Sequence, residues 1–443
     1  MIDCGRVREV RQNKRTSTST LVTDWCSKAS AKQRAGRAGR VQPGICLKLY
    51  STRTATVVMN DTSEPELKRV PLEEVCLSIL ASGFASSCMA FLRQAPQPPS
   101  EESVQSALHV LLEVGAISLE ESEGSRDTVE RLTPLGQHLS KLPVNVRLGK
   151  MLIFGALFRC IDKVLTVAAG LSSQSPFATF VTDAKIAQAK QKAFADPQSD
   201  FMTLCNVWEA YSAIDSPSAG KKFCHSNYLN PNALREIRDG RLQFLDLLCN
   251  IGFLDRSALS KRGNRKDWNE ATLRSSLFNE NGDKPEVVHA VICAGLFPNV
   301  AHVIVPLGAT NGEHVLWHRQ ERLHFHSSSV NSKKKRFLSS ERWIAFHEKF
   351  GTPHRVSVST TCFVHPLALL LFGGSVAVKH LDRKVIVDDW IEIGMAASTG
   401  VMMRELRRQV NGLLKEMIGD VESYEKKQQG ATMVDGIVKI LVS

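Results

Sequence analysis

Within the octapeptide Gln33 to Arg40, QRAGRAGR, three arginines recur every third residue among glycine and alanine. Each guanidinium is a planar fork that can grip a phosphate through two parallel hydrogen bonds, and the small residues between let an anion come close. Helical spacing would set Arg34, Arg37 and Arg40 on one broad side. Far downstream lies the run His324 to Phe337, HFHSSSVNSKKKRF. There Ser327, Ser328 and Ser329 offer hydroxyls, and Lys333, Lys334, Lys335 and Arg336 offer charge, which suits a phosphodiester backbone or a plain solvated basic loop. His314, His318, His324 and His326 lie nearby, but no cysteine or paired acid joins them, so no metal site is expected.

These groups must be held by a chain of 443 residues, long enough for about three ordinary domains. A hydrophobic share of 43% suits buried cores, and a net charge of +11 favours a polyanionic partner. The charge is concentrated early: residues 1 to 53 carry 12 Lys/Arg against 3 Asp/Glu. Eleven cysteines, the nearest two being Cys76 and Cys88, contain no C-x-x-C and read as scattered core residues in a reducing compartment. The longest apolar region, Met151 to Leu171, holds Arg159, Asp162 and Lys163 and is too charged to cross a membrane. The N-terminus has no signal-peptide pattern, and Ile2 reads as the end of a buried strand.

The pattern divides the chain into an α/β segment (1–60), a small helical domain with a β wing (61–143), a helical bundle (144–255), a polar linker (256–284), a β barrel (285–400) and a helical extension (401–443). In the first, Arg8 to Val10 and Thr20 to Val22 are β-rich about a polar turn, a hairpin with Arg11, Lys14 and Arg15 at its tip. In the second, Ser100 caps a helix that Gly115 ends, strands follow near 116–119 and 129–132, and Thr133-Pro134 starts another helix. The helix from 100 to 114 is acidic and reads as a packing brace. In the third, Val146 to Ala169 is almost continuously apolar, while Arg235, Arg238 and Arg241 could line a nucleic-acid path or a solvated face. From about 285 short β segments follow, among them 300–305, 314–317, 323–325, 343–347, 355–358 and 385–393.

QRAGRAGR resembles motif VI of superfamily 2 helicases, and Ser27 to Ser51 most resembles the DEAH-box (DEAH/RHA) RNA helicases. Further signatures follow in that family's order: LTPLG…LP of a degenerate winged helix (Leu132 to Pro143), then LPVNVRLGKMLIFGALFRC and SDFMTL of a ratchet-like bundle. HFHSSS is similar to the loop of its OB-fold, although Ser327 stands where the family usually has proline. The resemblance implies a second RecA-like lobe, winged helix, ratchet and OB-fold from the C-terminal part of an enzyme that unwinds RNA 3′-to-5′ with ATP and Mg2+. It implies that Gln33, Arg37 and Arg40 reach the terminal phosphate of ATP, that Arg34 holds the lobe together, and that the Arg11–Lys14–Arg15 hairpin lies beside RNA. Implied partners are single-stranded RNA and a glycine-patch activator protein, with no membrane, in the cytoplasm or nucleus.

Gly149-Lys150-Met151 and Gly220-Lys221-Lys222 lack the hydroxyl of a P-loop, and no DEAH or DECH tetrapeptide occurs. Phosphoryl transfer is positioning plus charge stabilisation, so arginines without those parts have nothing to act on. The chain alone is therefore expected to bind RNA without hydrolysing ATP, either as part of a longer enzyme or as a stand-alone RNA-binding or protein-docking module.

Overall fold

A computed structural model describes residues 1–443 apart from 14–17, 64, 122–127, 178–183, 215, 260–269, 305–313, 335–336, 338–341, 353–354, 420–423 and 443. In the N-terminal segment, β1 (Ile2–Asp3) will pair with a strand still to come. β2 (Arg6–Asn13) and β3 (Thr18–Trp25) form the expected antiparallel hairpin, with Asn13 opposite Thr18. Its tip residues Lys14 and Arg15 lie outside the described residues, and so does the side chain of Arg11. Helix Lys28–Ala35 starts where the Ser27 hydroxyl accepts the Ser30 N–H. β4 (Leu47–Lys48) then lies parallel to β1. Ile2 is 68% exposed and not a buried strand end. Side chains alternate along a strand, and Asp3 takes the inward side, where the Gly5 N–H and the Arg34 guanidinium bond its carboxylate.

The winged-helix segment follows its capping signals closely. Helix Glu101–Val114 begins at Ser100, buries Val104, Ala107, Leu111 and Val114, and ends on Gly115 in the left-handed region (φ 81°). β5 (Ile117–Glu121) and β6 (Thr128–Leu132) form the wing. The Thr133 hydroxyl then caps Pro134–Leu139 and donates to the Gly115 carbonyl at 2.7 Å. A Cβ on Gly136 would come within 1.9 Å of the Ala116 carbonyl oxygen, so this turn accepts only glycine.

The long apolar run is two helices, Val146–Leu157 and Ile161–Ser172, turned against each other at Arg159, whose φ is 54°. Both faces are buried, so periodicity could not mark the break. Helices Asp200–Ser212 and Pro231–Asn250 pack on the second of them around the fully buried Trp208. Part of the expected linker is tied to the bundle: Arg274 bonds Asp162, and the Asn281 side chain bonds the Phe158 carbonyl, while residues 260–269 lie outside the described residues. Residues from 285, expected as β, begin instead with the buried helix Pro285–Leu296 against Val146–Leu157. Its run of Val, Ile and Ala is apolar all round, a pattern that buried strands and buried helices share.

Next come β7 (Val300–Ile304), β8 (Val315–His318), β9 (Glu321–Phe325), β10 (Trp343–Thr352) and β11 (Arg355–Phe363). They close a barrel in the order β10-β11-β9-β8-β7, filled by Ala301, Val303, Leu316, Leu323, Ile344 and Phe346 among others. The last expected barrel strand lies elsewhere: β12 (Val376–Lys379), β13 (Lys384–Val387) and β14 (Ile391–Gly394) make their own three-stranded sheet. Two helices, Ala397–Gly419 and Tyr424–Val442, finish the chain, and His138 Nε2 of the winged helix lies 2.7 Å from the Ile418 carbonyl.

Candidate functional site

The arginine motif does not form one continuous helical face. The helix ends at Ala35, with Gly36 as its cap, and residues 36–39 turn away. The turn separates the arginines by role. Arg34 Nη1 donates to Asp3 Oδ1 at 3.3 Å and to the Arg6 carbonyl at 3.1 Å, tying the helix to β1 and to the start of the hairpin. Gln33, Arg37 and Arg40 are exposed. A guanidinium held by a buried carboxylate serves the fold, whereas exposed ones remain available to an anion. Asp3 also fixes the geometry from below, because the Gly5 N–H donates to the same oxygen at 2.9 Å.

The serine-lysine loop is built differently from the phosphate cradle the sequence suggested. Ser329 is only 4% exposed, and its hydroxyl donates to Asp200 Oδ2 at 2.7 Å. Asp200 stands at the start of the Asp200–Ser212 helix. It also accepts the Val330 N–H (2.8 Å), the Thr361 N–H (2.8 Å) and the Thr361 hydroxyl (3.2 Å). Burial pushes this carboxyl up from its ordinary range, against the pull of those donors. The cluster locks the loop and β11 onto the helical bundle, so Ser329 is a structural residue and not a surface ligand. Ser328 is exposed with its Oγ 2.7 Å from His326 Nδ1, and Ser327 is exposed. The Lys334 ammonium lies over the rings of Phe363 (4.8 Å) and Phe337 (5.9 Å). Lys335, Arg336 and the side chain of Lys333 lie outside the described residues.

Arg241, an alternative nucleic-acid contact by sequence, is 2% exposed. Its guanidinium lies over Trp208 and bonds Asp162 Oδ1 at 2.6 Å, while Arg274 takes Asp162 Oδ2 at 3.2 Å. Arg235 and Arg238 of the same helix are exposed. The histidines disperse as well. His314 packs on Phe325 and Phe337, and His318 Nδ1 lies 2.7 Å from the Val300 carbonyl. Burial, helped by Lys349, pushes His318 down to about 4. Among the described residues, no group of three or more His, Cys, Asp or Glu could hold a metal ion, and no helix is long and apolar enough to cross a membrane.

Sequence reasoning missed Asp200 because its partners lie about 130 and 161 positions away.

Four family descriptions match in chain order. They are Helicase associated domain (HA2), winged-helix (107–144), the ratchet-like part of HA2 (145–204), an Oligonucleotide/oligosaccharide-binding (OB)-fold (288–376) and the C-terminal domain in RNA helicases (383–441). The chain is 36% identical to the DExH-box ATP-dependent RNA helicase DExH4, chloroplastic, of Arabidopsis thaliana, over 100% of this chain and 31% of that protein. It is 35% identical to the human ATP-dependent DNA/RNA helicase DHX36 (100% and 42%), and 33% identical to the Xenopus laevis ATP-dependent RNA helicase dhx29 (99% and 31%). It thus spans between 31% and 42% of the length of these relatives. The barrel, the wing and the helical bundle agree with these matches, and the chain belongs to the DEAH-box (DEAH/RHA) RNA helicases, corresponding to their C-terminal part.

Proposed function

We propose that this chain is the C-terminal part of an ATP-dependent RNA helicase that unwinds or remodels RNA 3′-to-5′, and that by itself it binds single-stranded RNA without hydrolysing ATP. The observation that carries this reading is the division of labour in the arginine motif: Arg34 is bonded to Asp3, while Gln33, Arg37 and Arg40 stand exposed beside it. In this reading Gln33 orients the terminal phosphate or the attacking water, and Arg37 and Arg40 stabilise charge that develops on the phosphoryl oxygens. ATP and Mg2+ supply the phosphoryl group and the bridging cation when a P-loop and an acidic metal ligand are also present. The exposed guanidiniums fit the phosphate, whereas the sequence contains neither of those other parts.

RNA is held in this reading by the hairpin residues Arg11, Lys14 and Arg15 and by the exposed part of the loop at Ser327, Ser328 and Lys334, extended by Lys333, Lys335 and Arg336. β3 lies along β10 of the barrel, which places hairpin and barrel side by side, in support of a shared strand path. A glycine-patch-type activator fits the winged helix, where Phe84 (73% exposed) stacks on Phe91 beside a groove lined by Leu80, Ala85 and Leu132. The compartment assigned is the cytoplasm or nucleus. The alternative, a stand-alone RNA-binding or docking module, is favoured for the isolated chain by the missing P-loop. Steady-state ATPase measurement on the purified chain tests the reading: hydrolysis stays at background with or without RNA. Turnover above background that Arg37→Ala abolishes would refute it.

A further inference from the structure

We propose that Asp200, on the helical bundle, is a positioning residue for RNA: it holds the serine loop of the barrel in the one shape that presents Ser327 and Ser328 to a phosphodiester backbone. This rests on the RNA-binding reading above and adds a residue that acts on RNA only through the loop.

Asp200 is the first residue of its helix, after the buried cap Ser199. Its Oδ1 accepts the Val330 N–H, and its Oδ2 accepts the Ser329 hydroxyl, the Thr361 N–H and the Thr361 hydroxyl. Among the described residues no cation pairs with it. A carboxylate only accepts hydrogen bonds and has room for all these donors, whereas an amide of the same shape would turn its own N–H toward one of them. Burying an anion without a cation is costly, and an anion beneath an RNA-binding loop also repels the polyanion. Charge therefore gives no reason for an aspartate at this position, while the converging donors do.

The donors pin the loop on both sides of its exposed part. Before it, the His326 N–H donates to the Val358 carbonyl of β11 at 2.9 Å, and the Ser329 N–H donates back to the His326 carbonyl at 3.0 Å. After it, the Asn331 side chain donates to the Thr361 hydroxyl at 2.9 Å and to the Gln198 carbonyl at 3.3 Å. The Ser332 hydroxyl donates to the Ser329 carbonyl at 2.7 Å. Between His326 and the buried Ser329 stand only Ser327 and Ser328, both exposed. Hydroxyls held on such a base need no further ordering when an anion arrives, and ordering backbone is a main cost of binding by a loose loop. The base spans two domains: Gln198 and Asp200 come from the bundle, and Ser329, Val330, Asn331 and Thr361 from the barrel. The bundle thereby sets the shape of a loop that belongs to the barrel.

The test is the affinity of the purified chain for a fluorescently labelled oligouridine, measured by anisotropy well below the melting temperature of each variant. Asp200→Asn is expected to weaken binding about five-fold or more. The sign is decisive, because removing a negative charge alone would tighten the hold on a polyanion. Ser329→Ala changes no charge, removes one donor to Asp200 and should weaken binding about three-fold. If Asp200→Asn does not fold, this variant carries the same comparison. In a chain that already carries Ser327→Ala and Ser328→Ala, Asp200→Asn should change affinity by less than about two-fold, since no hydroxyl remains to be positioned. A purely structural residue would lower the melting temperature and leave affinity as it was. If the parent binds and Asp200→Asn binds as well or better, or weakens the double serine variant by the same factor as the parent, the positioning role is refuted while RNA binding stands. If the parent binds no oligouridine, the RNA reading fails and the positioning role with it.

Discussion

Two sets of arginines in this chain share one spacing and meet opposite fates. Arg34, Arg37 and Arg40 recur every three residues, and so do Arg235, Arg238 and Arg241. In the first set, one residue is bonded to Asp3 and the helix stops after Ala35, releasing the other two into a turn. In the second, the helix runs from Pro231 to Asn250 without interruption and carries Arg241 under the Ile161–Ser172 helix, where it meets Asp162. Spacing sets the direction of a side chain, but the packing of its element decides whether that direction is solvent or core.

The largest effect should come from breaking the buried set. Arg241→Ala leaves Asp162 buried with only Arg274, and a buried pair stripped of one partner costs about 3–5 kcal/mol. Urea unfolding should show that loss, while Arg235→Ala stays within about 0.5 kcal/mol. Equal effects of the two substitutions would erase the contrast.

A second effect belongs to the seam between the barrel and the three-stranded sheet, where His318 packs edge-on against Phe346 and Trp390. His318 is pushed from 6.5 down to about 4 by burial, so the folded chain refuses a proton that the unfolded chain accepts. Its contribution is whole above pH 6.5 and is lost as pH falls toward 4, by up to about 3 kcal/mol. Stability measured between pH 7 and 4 should fall less steeply in His318→Gln. A parallel acid limb in the variant would show that His318 titrates normally.

The smallest effect separates the members of the motif itself. Arg34→Ala removes a hydrogen bond to the buried Asp3 carboxylate and one to the exposed Arg6 carbonyl and should cost about 1–2 kcal/mol, whereas Arg37→Ala and Arg40→Ala should stay within about 0.5 kcal/mol. Comparable losses for all three would make the motif a structural cluster.

Much of this was legible in the chain. The helix ends at Ser100, Gly115 and Thr133 were readable because capping is local: the residue that signals the end also makes the bond. The hairpin and five barrel strands followed from alternation. Reading failed where two faces were buried at once, as in Pro285–Leu296 and in the single apolar run that folds as two helices. It failed again at Ser329, since nothing near it in sequence announces Asp200. A hydroxyl in a basic loop looks like a ligand until its long-range acceptor is seen. Family resemblance supplied the order of the domains, yet it did not separate the exposed serine Ser327 from the buried Ser329.

The most direct measurement is the affinity of the purified chain for single-stranded RNA across a salt series, with and without ATP. The account expects salt-dependent binding that ATP leaves unchanged, because the barrel and hairpin hold the strand while the arginine motif has no P-loop opposite it. Absence of binding, or an affinity that changes several-fold with ATP, would contradict it.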